Sequence, residues 1–241
     1  MGYLSRTELL LGKQALKRLR DSTVAVFGIG GVGSFTAEAL ARCGVGRLIL
    51  IDNDIVCESN INRQIHALYS TLGMPKAEAM KNRIMDINPN SVVEALPIFY
   101  LPGAEGISWD YNFVIDAVDT VSAKLGIIME AKKRGINIIS AMGAGNKRDP
   151  TKFVTADIYE TSVCPLAKVM RRELKKRGVK SLRVVYSKEP PQMMHSVLQE
   201  CDNVSSLEAA SAKGQVASIA YVPSVMGLII AGEAVKEITK A

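Results

Sequence analysis

Gly28-Ile29-Gly30-Gly31-Val32-Gly33 lies between an apolar run, Thr23-Val24-Ala25-Val26-Phe27, and a helical pattern from Ser34 to Arg42. This is a G-x-G-x-x-G turn joining a strand to a helix. Glycines there let the backbone approach phosphate and turn tightly, and the helix N-terminus offers unpaired N–H groups and partial positive charge to an anion. Gly28, Gly30, Gly31 and Gly33 are therefore candidates to face phosphate in any dinucleotide turn. Asp52 closes the next strand, Arg47-Leu48-Ile49-Leu50-Ile51, where a ribose-binding acid belongs. The residues after Asp52 are not those a dehydrogenase needs. Asp54 is a second acid, Asn60-Ile61-Asn62-Arg63-Gln64 comes next, and Lys76 ends Gly73-Met74-Pro75-Lys76. Acids with an arginine and a lysine around one phosphate loop suit a nucleoside triphosphate and its metal better than a nicotinamide.

Asp116-Ala117-Val118-Asp119 adds a fifth piece, a D-x-x-D. With the glycine turn, the acid-x-acid strand end, N-x-x-R-Q and the G-x-P-K lysine, residues 20–145 resemble the adenylating domain of ubiquitin-activating-type enzymes, the ThiF-HesA-MoeB group. Three further stretches narrow the resemblance: Arg6-Thr7-Glu8-Leu9-Leu10-Leu11-Gly12, the run from Asn60 to Ala67, and Asp149-Pro150-Thr151 ahead of Val154-Thr155-Ala156-Asp157. They are similar to the branch that dehydrates threonylcarbamoyladenosine in tRNA, also described as its cyclase. The likeness is strong to about Ile158 and looser beyond Lys180.

The resemblance implies ATP and magnesium as cofactors. It implies that Asp52 grips the adenosine ribose with Asp54 close by, that Asn60, Arg63 and Gln64 reach the phosphates, and that Lys76 neutralises the β/γ charge. Asp119 would hold magnesium, an oxygen-seeking cation that bridges phosphates. Arg63 would cross from the other protomer, which makes a homodimer part of the active site. The substrate implied is tRNA carrying threonylcarbamoyladenosine, and the group's chemistry leaves room for a cysteine desulfurase or sulphur-acceptor partner. The threonyl carboxylate is acyl-adenylated and the ureido nitrogen of the same group displaces AMP. That nucleophile is tethered, so no enzyme nucleophile is required.

Other readings of the same residues stay open at this point. Lys76 after Pro75 also begins a helix, Asp119 also suits a helix N-cap, and Asp116 reads as structural. Arg63 and Asn60 also read as a loop-capping pair. His66 reads as packing near the loop rather than as a base, and His195 carries no pattern. Cys164, before Pro165, and Cys201 invite a thioester reading, but no motif supports it. Two other functions compete: adenylation of the C-terminal glycine of a ubiquitin-like sulphur carrier, and a scaffold that keeps the nucleotide fold without turnover. The four cysteines, at 43, 57, 164 and 201, form no C-x-x-C, which argues against the carrier reading. Intact Asp52, Arg63, Lys76 and Asp119 argue against the scaffold.

A hydrophobic fraction of 48% with few aromatics suits a buried parallel sheet. The net charge of +6 is concentrated. Lys168, Arg171, Arg172, Lys175, Lys176, Arg177, Lys180, Arg183 and Lys188 crowd one stretch in which Glu173 is the one acid, a pattern that meets nucleic-acid backbone. The charged amphipathic start, Met1 to Arg20, leads us to expect no signal peptide and a cytoplasmic protein with reduced thiols. The uncharged stretch Val216 to Gly232 reads as a core strand, Ala217 to Val222, and a helix from Ser224, rather than a membrane span.

The expected fold is α/β, a doubly wound, Rossmann-like, mostly parallel sheet with an N-terminal helix and a substrate-facing C-terminal extension. One adenylating domain over 1–241 divides into a helix at 1–20, a nucleotide core at 21–148 and an extension at 149–241. Within it the pattern predicts strands at 23–28, 47–52, 91–96, 111–116, 136–141, 153–158 and 182–187. It predicts helices at 5–20, 32–43, 75–87, 120–134 and 164–177, and a long mobile loop over 188–215.

Overall fold

The computed structural model describes residues 2–192 and 216–240. In chain order the strands are β1 Thr23–Phe27, β2 Arg47–Ile51, β3 Val92–Leu96, β4 Phe113–Asp116, β5 Asn137–Ala141, β6 Phe153–Asp157 and β7 Arg183–Ser187. The helices are α1 Ser5–Leu11, α2 Lys13–Arg20, α3 Gly33–Cys43, α4 Lys76–Ile87, α5 Val121–Arg134, α6 Pro165–Lys176 and α7 Tyr221–Thr239. The seven strands form one sheet in the order β3-β2-β1-β4-β5-β7-β6. Every pairing is parallel except β6 with β7.

The strands read as near-continuous apolar runs because helices cover both faces. α2, α3, α4 and α7 pack around Val24, Val26, Leu48 and Leu50 on one face. α5 and α6 pack around Ala25, Phe27, Ile49 and Val114 on the other, where Phe27 stacks on Trp109 with ring centroids 5.4 Å apart. β1 pairs with β2 on one side and β4 on the other, so the strand order reverses there. A crevice opens at the carboxyl ends of such strands, and that is where ligands of doubly wound sheets bind.

One buried ion pair fixes the end of β4. Asp116 and Lys124 are both fully buried, with Lys124 Nζ 3.0 Å from Asp116 Oδ2. Ser140 Oγ donates to the same carboxylate at 2.5 Å, and Lys124 Nζ also donates to the Val118 carbonyl at 3.0 Å. Asp116 is structural, as the sequence suggested. Removing one partner of such a pair costs about 3–5 kcal/mol, because the other is left buried and charged.

Three expectations need correction. The N-terminal helix is two helices, not one over 5–20: Gly12 takes φ 83°, ψ 160° and its N–H closes the first helix on the Glu8 carbonyl at 2.8 Å. Only glycine adopts that conformation without cost, and the amphipathic pattern runs across the break. Ala217 to Val222 is not a strand. Ala217 pairs with Asn146, its N–H donating to Asn146 Oδ1 and its carbonyl accepting from Asn146 N–H, both at 2.8 Å. The chain then turns into α7 with Pro223 in its first turn, where a missing N–H costs nothing. The sequence treated that proline as a boundary and placed the helix start three residues late. The predicted loop is described only over 188–192, and its remainder, with His195 and Cys201, lies outside the described residues. No helix among the described residues is long and apolar enough to cross a membrane.

Candidate active site

A cleft of about 890 Å³ opens at the carboxyl ends of β1, β2, β4 and β5. Its floor is the glycine turn. Gly28 has φ 85°, and a Cβ there would lie 2.7 Å from the Ala117 carbonyl oxygen. Gly33 stands behind the lining: a Cβ on it would lie 1.8 Å from the Gly28 carbonyl oxygen. A Cβ on Gly31 would press on Pro223 at 3.2 Å, so α7 sits directly on the turn. Gly30 differs. It lines the cleft, and a Cβ there would find no neighbour closer than Gln64 Nε2 at 4.0 Å. The fold does not require glycine at 30, and the backbone there is open to the cleft.

The turn is clamped at one peptide. Ile29 N–H donates to Asp52 Oδ2 at 2.6 Å, and the Ile29 carbonyl lies 2.8 Å from His66 Nε2. Asp52 Oδ1 also accepts from Asp54 N–H at 2.9 Å. Burial raises the Asp52 pKa against those two N–H bonds, which lower it. Burial also pushes the His66 imidazole down to about 4, so it is neutral near pH 7 and donates through Nε2. His66 packs under the loop, as its position in the sequence suggested.

The second strand's exit carries the cations. Lys76, buried and first in α4, meets Asp54 Oδ2 at 2.7 Å. It both begins a helix and reaches the cleft. Asn60 is buried, and its Oδ1 closes a short 3₁₀ turn by accepting from Cys57 N–H at 3.1 Å. Gln64, also buried, leaves Oε1 without a partner among the described residues. Arg63 lines the cleft half-buried, its Nη1 donating to Ser59 O and Asn62 Oδ1, each at 2.9 Å. Across the cleft, Asp119 is exposed. Thr120 holds the N-cap position of α5, and among the described residues Asp119 Oδ1 accepts only from Thr120 Oγ1, at 3.3 Å. Asp119 is thus not consumed by helix capping. Every sequence-predicted site residue except Gly33 lines this one cleft.

A model of the ThiF family matches residues 4–241. The chain belongs to the ThiF family. Over 239 residues it is 48% identical to tRNA threonylcarbamoyladenosine dehydratase of Bacillus subtilis, covering 98% of this chain and 94% of that relative. Crystal structures of Escherichia coli tRNA N6-threonylcarbamoyladenosine dehydratase are similar in fold. The complex with AMP aligns at TM-score 0.86 and 34% identity over 98% of this chain and 93% of that one. The complex with ATP aligns at TM-score 0.86 and 33% identity over 99% and 94%.

The ThiF-family motifs pick out the nucleotide side of the cleft and miss the other wall. That wall is the loop after β5, from Met142 to Lys147, with Cys164, Pro165 and Ser218. Asn146 gathers it, because Gln192 N–H donates to the Asn146 carbonyl at 2.8 Å while Ala217 bonds the same residue. Asn146 takes φ 57°, a left-handed conformation that asparagine tolerates. The small residues Gly143-Ala144-Gly145 at a strand end were a visible signal. Lys147 and Ser218 gave none. Cys164 is buried at the N-cap of α6.

Proposed function

We propose that this chain uses ATP to dehydrate and cyclise threonylcarbamoyladenosine in tRNA through an acyl-adenylate. The observation that carries the reading is the convergence of Asp52, Lys76 and Asp119 on one cleft around the glycine turn. The carboxylate oxygen of the threonyl group attacks the α-phosphorus, the bond to the bridging oxygen breaks and pyrophosphate leaves. The ureido nitrogen of the same group then attacks the activated carbonyl carbon and loses its proton. AMP leaves and a five-membered ring closes.

Little covalent work falls to the protein, so positioning and charge carry the catalysis. Asp52, already holding two backbone N–H groups, is the ribose acceptor. Asn60 and Gln64 supply buried amides to the phosphates, and Lys76 and Arg63 supply positive charge where pyrophosphate departs. Asp119 would hold magnesium. A single uncommitted carboxylate suits that ion, which takes one or two carboxylates and fills its shell with phosphate oxygens and water. Magnesium would neutralise the departing phosphates. A homodimer that exchanges Arg63 and a cytoplasmic location with the tRNA belong to the same reading. The whole chain, 1–241, is read as one adenylating domain. With tRNA that carries the modification, ATP should yield AMP and pyrophosphate. Equal release with tRNA lacking the modification would contradict the reading.

The tRNA is assigned to the basic face of α6 and the turn after it. There Glu173 ties Arg172, Lys176 and Arg177 at 2.9–3.2 Å, and these bonds hold its carboxyl down to about 2. Arg171 is turned inward to Thr161. Lys168, Lys175 and Lys180 are exposed and form no ion pair among the described residues. Removing one cation from the phosphate backbone should reduce the salt slope of log affinity by roughly 0.7 to 0.9. Replacing these three lysines with alanine should flatten the slope by about two units or more; an unchanged slope would make the face a solvated one.

A further inference from the structure

Among the described residues three basic side chains line the cleft: Arg63, Lys76 and Lys147. The first two belong to the nucleotide motifs and the third has no role in them. Lys147 is 5% exposed, more deeply buried than Lys76 at 6%. Lys76 has a counter-ion in Asp54. Lys147 forms no direct ion pair among the described residues, although the Glu189 carboxylate is close enough to attract it. Its Nζ donates to the backbone carbonyl of Glu189. The Glu189 carboxylate accepts instead from the N–H groups of Arg148 and Asp149, at 3.1 and 3.0 Å, and from Gln192 Nε2 at 3.0 Å. An ammonium has three donors, and a neighbouring carbonyl occupies one. Burying such a charge without a direct ion pair is costly, and burial pushes the Lys147 pKa down against the attraction of Glu189. A tie to a backbone carbonyl alone needs no charge. Lys147 lines the cleft with donors left over for an incoming anion.

Strand order says which anion. Across the cleft the exits run β2, β1, β4, β5. Asp52 and Asp54 leave β2, the glycine turn leaves β1, Asp119 follows β4 and Lys147 follows β5. At about 4.8 Å per strand, β5 leaves the sheet roughly 14 Å from β2, and the loop that carries Lys147 follows β5 on the far side of the phosphate turn. α6 begins with Pro165 on the same wall and has no side-chain cap, so its positive end adds to the field there. The nucleotide occupies the near side, and the group that must meet its α-phosphorus enters from this one.

Building on the adenylation reading above, we propose that Lys147 binds the substrate carboxylate that is adenylated. Its ammonium holds one carboxylate oxygen while the other attacks. The test compares wild type with Lys147→Met and Lys147→Arg, using ATP and tRNA that carries threonylcarbamoyladenosine. Expected for Lys147→Met is ATP affinity within about threefold of wild type, with kcat/KM for the tRNA down on the order of a hundredfold, as for loss of one charged donor to a reacting group. Lys147→Arg, which keeps the charge, should recover part of that loss. Two results would overturn the assignment: turnover by Lys147→Met within threefold of wild type, or loss of ATP binding by both variants, which would place Lys147 in the nucleotide site or in the fold. Failure of wild type itself to turn over would sink the adenylation reading instead, so the two failures are distinct.

Discussion

Arg63→Ala and Asp119→Ala chains are each expected to be nearly inactive alone and to regain activity when mixed. Loss of one charged donor from a phosphate transition state typically costs about 3 kcal/mol, on the order of a hundredfold in rate. Asp119 is exposed at the cleft and uncommitted to helix capping, so its loss removes a ligand rather than a fold contact. Arg63 sits on the loop that leaves the second strand at the rim of the site, with Asn62 exposed beside it. Its guanidinium is turned onto its own loop, bonded to Ser59 and Asn62, and no carboxylate holds it among the described residues. If Arg63 serves the partner's site, a mixed dimer contains one doubly damaged site and one intact one. Up to half of wild-type activity per mixed dimer should return. Mixed samples that stay inactive, with dimers confirmed by native mass, would place Arg63 in its own chain's cleft.

Gly33→Ala should weaken nucleotide binding strongly by distorting the glycine turn itself. The added Cβ would lie 1.8 Å from the Gly28 carbonyl oxygen, a backbone atom that cannot swing aside. Relief requires moving the turn, and the turn is fixed at Ile29 by Asp52 and His66. Overpacking at a rigid site costs about 3 kcal/mol, near a hundredfold in affinity. Gly30→Ala is the informative companion. Its Cβ meets nothing closer than 4.0 Å, so the fold should keep its melting temperature while ATP affinity falls. Calorimetric titration of ATP into both variants, beside their melting curves, checks the pair. A Gly30→Ala chain that binds ATP normally would mean that no ligand presses on that residue.

The nucleotide half was legible because each of its pieces is local. A glycine turn, an acid at a strand end, and an arginine or lysine a few residues on keep their meaning whatever the rest of the chain does. Strand positions were legible for the same reason: a parallel sheet buried on both faces leaves unbroken apolar runs that end at turns. The missed features depend on distance in sequence. Nothing near Pro223 indicates that it will lie against Gly31, and nothing near Lys124 indicates that a mid-helix lysine will be fully buried on Asp116. Ala217 to Val222 resembled a strand by composition, yet Asn146 captures its start and a helix takes its end. Lys147 belongs to no motif in the sequence. Only its burial beside Glu189, in the loop after the fifth strand, singles it out.

Mass spectrometry of the nucleosides of tRNA carrying threonylcarbamoyladenosine, after incubation with this chain, ATP and magnesium, tests the central claim most directly. The account predicts that the modified nucleoside loses the mass of one water, in step with AMP release, and that neither change occurs without ATP. An unchanged nucleoside alongside ATP-dependent adenylation of a sulphur-carrier protein would contradict it and assign the cleft to a carrier's C-terminal glycine.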